Sequence, residues 1–117
     1  GEVNLELRSP DSASNPYLVF ALCLAAGMEG IENGMKTPEE LTKDIRKLNE
    51  EEKNLLGIQM LPENLGEAIQ AMGQDPLVSE VLGETYRKGY MKAKRKEWKD
   101  YLEQVSEWEL NRYLYRV

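Results

Sequence analysis

Residues Val3 to Arg8 alternate strictly between apolar and polar, with Val3, Leu5 and Leu7 on one side and Asn4, Glu6 and Arg8 on the other. That period of two predicts a short β-strand with one chemical face. The rest of the sequence reads as helices, and a strand without a partner leaves its backbone donors and acceptors unpaired. The chain is therefore expected to be mostly α-helical with one short N-terminal strand. The strands it would pair with are expected to come from outside these 117 residues.

The helices announce themselves through capping and breaking residues. After the turn-forming run SPDSASNP, Asn15 is placed to cap a helix whose first residue is Pro16. That helix, predicted over 16–30, is nearly all apolar, so it is expected to be buried. Gly30, Asn33 and Gly34 offer stopping points. Thr37, Pro38 and Glu40 have the spacing of another helix start, and the polar TKDIRK that follows is expected to be exposed, so 37–57 is read as a loop with short helices. Asn49 and Glu52 repeat the capping spacing ahead of a short helix ended by Gly57. The segment 64–117 is read as C-terminal helices. Asn64 caps a helix with Leu65, Ala68, Ile69 and Met72 on one stripe, and Asp75 with Pro76 opens the next. A long proline-free helix follows from Glu84 to about Val105, with an apolar stripe of Tyr86, Tyr90, Ala93, Trp98, Tyr101 and Val105. Ser106 and Glu109 then start a terminal helix carrying Trp108, Tyr113, Leu114 and Tyr115.

Composition narrows the function. The net charge of −6 disfavours nucleic acid or an anionic membrane as the main partner, since both reward positive charge. The apolar run Tyr17 to Ala26 is too short to cross a bilayer. A single cysteine, Cys23, excludes an internal disulfide and reads as a small core residue in a reducing, cytoplasmic setting. The absence of histidine removes the commonest general base and metal ligand.

Glu6 and Arg8, two residues apart on one strand face, could hold a metal and an anion side by side, although charged residues on an edge strand are ordinary. The cations Arg87, Lys88, Lys92, Lys94, Arg95, Lys96 and Lys99 read as a solvated helix face interleaved with Glu97 and Asp100. The glycines of GMEGIENG lack the strand-before-helix context of a phosphate loop and read as a helix end. The aromatics of the last 32 residues suit either a core or a partner subunit.

The stretch ELRSPDSASNPYL, Glu6 to Leu18, closely resembles the signature near the end of the catalytic domain of type I bacterial glutamine synthetases. LAAGMEGIENGM resembles that family's buried helix and following loop, LPENLGEAIQAMGQDPLVSEVLGE its acidic helix pair, and EWKDYLEQVSEWELNRYL its closing helices. The resemblance implies a part in an α+β catalytic domain, that of an ATP-dependent ligase that joins ammonia to glutamate through γ-glutamyl phosphate, with Mg²⁺ or Mn²⁺ offsetting the charge of phosphoryl transfer. By the same resemblance, Glu6 is a metal ligand, a hard oxygen donor suited to either ion. Arg8 contacts substrate glutamate and the transferred phosphate through its fixed fork of donors.

Two positions depart from the family pattern. Asn4 stands where many members carry a nucleotide-contacting arginine, which leaves the nucleotide-binding residue unassigned. Arg46 stands where the adenylylated subgroup has its tyrosine, so control by that modification is not expected. The resemblance also implies a homo-oligomer of two stacked rings, a double-ring dodecamer, in which the C-terminal helices reach across to the opposite ring. The histidine ligand and remaining carboxylates would lie upstream, so the chain is expected to be a C-terminal part, inactive alone. Two other readings stay open: a helical subunit-assembly module, and part of a related glutamate–amine ligase.

Overall fold

The computed structural model describes residues 3–115. Residues 1, 2, 116 and 117, at the outer ends of the predicted strand and of the C-terminal helical segment, lie outside the described residues. The chain forms two compact units that divide between Leu61 and Pro62.

In the first unit, residues 3–9 form no strand, contrary to the alternation. The reason is the one the pattern itself carries: no other strand exists among the described residues to pair with it. Helix α1 spans Pro16–Glu32, beginning where its cap predicts. Asn15 Oδ1 accepts from the backbone N–H of Tyr17 at 3.0 Å and of Leu18 at 3.4 Å. It ends in a Schellman motif: Gly34 takes φ +59°, its N–H donates to Ile31 O, and the Met35 N–H donates to Gly30 O. The expectation that this helix is buried does not hold within the chain. None of its residues is buried; Leu24 is 71% exposed and Cys23, expected in a core, is exposed. A helix that is apolar on every side needs cover on every side, and these residues do not provide it.

The helix start expected at Thr37, Pro38 and Glu40 does not form, although Leu41, Ile45 and Leu48 follow at helical spacing; a capping signal alone does not offset the cost of nucleating a helix. Instead Asp44 accepts from the Arg46 N–H at 3.1 Å and opens a short 3₁₀ turn, Ile45–Lys47. Arg46 closes back on Asp44 through Nε and Nη2, both at 3.0 Å, and its guanidinium, together with its backbone N–H, lowers the Asp44 pKa. Leu48 is buried. Helix α2, Glu50–Leu55, has the full Asn49–Glu52 capping box, and a second Schellman motif at Gly57 (φ +67°) ends it.

The second unit packs α3 (Leu65–Gln74) and α4 (Pro76–Leu82) against the long α5 (Glu84–Leu102). Asn64 caps α3 and Asp75 caps α4, as their positions predict. The buried residues are one per helix, Ile69, Val78 and Met91, each contributing about 1.5–3 kcal/mol where fully removed from water. Two glycines set how closely α3 and α5 approach. A Cβ at Gly66 would lie 2.7 Å from Trp98 Nε1, and one at Gly73 would lie 2.8 Å from Met91 Cε. Both pairs are seven residues apart and run in opposite order, so the two helices are antiparallel in this register. The inward face of α5 is thus Arg87, Met91, Lys94 and Trp98, which are buried or half-buried; of the expected stripe, Trp98 and Tyr90 are half-buried, while Tyr86, Ala93 and Tyr101 are exposed. Met91 is the anchor that the aromatic pattern concealed. Helix α6, Glu107–Tyr113, starts with the predicted Ser106–Glu109 capping box and is exposed throughout.

Candidate functional site

The site expected from the sequence lies in the first unit, ahead of α1. An extended backbone sets side chains i and i+2 on the same side. Glu6 and Arg8 meet in that way: Arg8 Nε donates to Glu6 Oε1 and Arg8 Nη2 to Glu6 Oε2, both at 3.1 Å. This two-bond pair is geometrically specific, yet both side chains are more than two-thirds exposed, so in water it adds little to stability. The charged face predicted for residues 4–8 is therefore present without the strand. Asn4 lies in the same exposed segment.

A compact turn links this pair to α1. Asp11 Oδ1 accepts from the Ala13 N–H at 2.7 Å, and the Ser14 N–H donates to Asp11 O at 3.0 Å. Asn15 then caps the helix one residue later. Asp11 belongs to the turn-forming SPDSASNP run, and an Asp followed by small polar residues is the signal for such a turn.

The donor chemistry suits a metal only in part. Glu6 offers hard oxygens of the kind Mg²⁺ or Mn²⁺ prefers, but no group of three or more metal-binding side chains gathers among the described residues. The residues present supply one ligand, short of the near-octahedral set such an ion requires.

The cations of α5 behave largely as a solvated face. Arg87 and Lys88 share Glu84, Lys94 pairs with Glu97, Lys96 with Asp100 and Lys99 with Glu103. Arg87 is the most ordered: its Nε and Nη2 reach Glu84 at 2.8 and 2.9 Å, and Nη1 donates to Gly73 O at 3.1 Å, tying α5 to the end of α3. The Arg87 guanidinium, helped by Lys88, pulls the Glu84 pKa from its ordinary 4.5 down to about 2.

The second, helical half of the expectation concerns the aromatic ending. Trp108 and Tyr113 meet edge to face at 6.0 Å and Arg112 lies over the Trp108 ring at 5.3 Å, but Trp108, Tyr113 and Tyr115 stay exposed. They form no core within the described residues.

Comparison with known proteins agrees with the motifs. Residues 2–113 match the family described as glutamine synthetase, catalytic domain. The chain is 43% identical over 110 residues to a glutamine synthetase of Methanocaldococcus jannaschii, covering 94% of this chain and 24% of that protein. It is also 43% identical to one from Clostridium saccharobutylicum and 42% to one from Mycolicibacterium smegmatis, again over 94% of this chain and 25% of each relative. The chain thus spans about a quarter of the length of these relatives. With the match running from before the Glu6–Arg8 pair to the end of α6, the chain belongs to the glutamine synthetase catalytic-domain family.

Proposed function

We propose that this chain forms one wall of the active site of an ATP-dependent glutamate–ammonia ligase, with Glu6 and Arg8 as its reacting face. The observation that carries the reading is the side-by-side Glu6–Arg8 pair within the family-matching segment, fixed ahead of a capped helix. In this reading Glu6 is one carboxylate ligand of Mg²⁺ or Mn²⁺, the other ligands coming from the remainder of a longer protein. The bound ion would offset charge on the phosphate groups of ATP. Arg8 orients substrate glutamate and the transferred phosphoryl oxygens, where a planar, permanently charged fork of donors stabilises the charge that develops. Glu6 meanwhile holds the Arg8 side chain extended toward the same side. Asn4 has no positive charge to offer a nucleotide phosphate, so the reading gives it no nucleotide contact.

Arg8→Lys in the full-length protein carrying this chain keeps the charge but loses the fork. Glutamine formation should fall by about 10²–10³-fold, the usual effect of removing one transition-state donor. Glu6→Gln should raise the metal concentration required by about 10- to 100-fold or more, since even outer-sphere partners matter that much. Wild-type turnover in both variants would overturn the assignment. The purified 117 residues should form neither glutamine nor phosphate, because one carboxylate ligand does not make a site.

A second reading, that the C-terminal helices join subunits of a double-ring homo-oligomer, draws support from the exposed Trp108, Tyr113 and Tyr115 on and beside α6. The two roles are compatible in one protein. A related glutamate–amine ligase differs only in the acceptor, and comparing ammonia with small amines as substrates separates the two.

A further inference from the structure

Along α5, five of the seven cations between Arg87 and Lys99 have a carboxylate partner one turn away. The two without one among the described residues are Lys92 and Arg95. Their neighbours three and four positions away are Lys88, Gly89, Met91, Arg95, Lys96, Lys92, Trp98 and Lys99, so none is acidic. Both unpaired cations line a cleft of ≈ 850 Å³ between α3 and α5, together with Lys88, and no carboxylate lines it. Gln70 and Gln74 of α3 line it as well, one helical turn apart, and bring amide donors. Trp98 adds an aromatic wall, stacked with Tyr101 at 5.5 Å.

We propose that this cleft, within the second unit, binds a small phosphate-bearing polyanion. Lys92 and Arg95 fall at i and i+3, and Lys88, which shares Glu84 with Arg87, lies one turn before them, a row about 10 Å long at a rise of 1.5 Å per residue. Such a row matches a ligand with two or more adjacent phosphates better than a single carboxylate. The arginine fork binds one phosphate with two hydrogen bonds, and the lysines act as point charges on the next. Unpaired positive charge concentrated in a cleft of a chain with net charge −6 also favours a compact anion over an acidic protein, which the rest of the surface repels. The closely packed glycines beneath the cleft, Gly66 and Gly73, keep its two walls at fixed spacing.

The test is calorimetric titration of inorganic tripolyphosphate into the full-length protein carrying this chain, with EDTA present to suppress metal-dependent binding. Lys92→Glu with Arg95→Glu should weaken binding by at least ~10-fold, as expected when two charge-assisted contacts are lost. Lys96→Glu with Lys99→Glu, the same charge change on the same helix outside the cleft, should leave affinity within about threefold, because exposed charges act weakly at a distance. Glu6→Gln with Arg8→Ala should also leave it intact, which separates this site from the proposed active site. Absence of binding, equal loss in the two charge-reversed pairs, loss only with the Glu6 and Arg8 substitutions, or equally tight binding of citrate would each overturn the proposal.

Discussion

At the scale of single residues, contacts decide where a conservative change is tolerated. Gly66 and Gly73 both occupy the α3 face against α5, yet they should respond differently to alanine. At Gly66 the new methyl would meet the rigid Trp98 indole at 2.7 Å and the capping Asn64 Oδ1 at 3.1 Å. Gly66→Ala should destabilise by about 1–3 kcal/mol, the usual cost of overpacking, read from the urea midpoint. At Gly73 the obstacle is the tip of the flexible Met91 chain, and alanine gains about 0.5–1 kcal/mol of helix preference. Gly73→Ala should therefore be near neutral by the same measurement. Equal loss at both sites would sink this account.

Glu84 gives a residue-scale dependence on pH. Its pKa in the folded chain is lowered to about 2 from 4.5. Its contribution to stability is therefore present above the unfolded value and lost as pH falls through the folded one. Between about pH 5 and 2, Glu84→Gln should flatten part of the decline in stability seen for the unsubstituted protein. Parallel curves for the two proteins across that window would show that the Arg87 pairing contributes nothing.

At the scale of elements, capping residues carried more information than hydrophobic periodicity. Asn15, Asn49, Asn64, Asp75 and Ser106 each start a helix where their identity predicts, because each supplies a side-chain acceptor for an otherwise unpaired N–H. Thr37 with Glu40 has the same spacing and starts nothing, since a cap stabilises a helix but does not supply the packing that sustains one. Asn64→Ala should cost about 1 kcal/mol, measured by thermal unfolding, because Asn64 accepts from the Glu67 N–H at 2.9 Å and also donates to the Glu67 side chain. A change within experimental error would show that α3 is held by its packing on α5 alone.

At the scale of the whole molecule, two apolar elements lack cover among the described residues: α1, and α6 with its flanking aromatics. Large apolar side chains left exposed together on one element are the kind of surface that binds another body. For α6, the subunit-joining reading predicts that deleting Trp108 to Val117 from the full-length protein reduces the oligomer's size in light scattering. An unchanged mass would argue against that role.

The sequence alone located five of the helix starts, the same-side placement of Glu6 and Arg8 and the resemblance to the family, because each depends on residues close together in the chain. The missing acidic partners of Lys92 and Arg95 were legible there too, as gaps in the spacing of three and four. Tertiary structure alone decided that Met91 is the buried anchor of α5 while Tyr86 and Tyr101 stay exposed, and that Gly66 and Gly73 bring α3 against α5. It also decided that the two unpaired cations share one cleft. Those outcomes depend on which helix faces are mutually complementary, a property of two elements in register that neither sequence carries by itself.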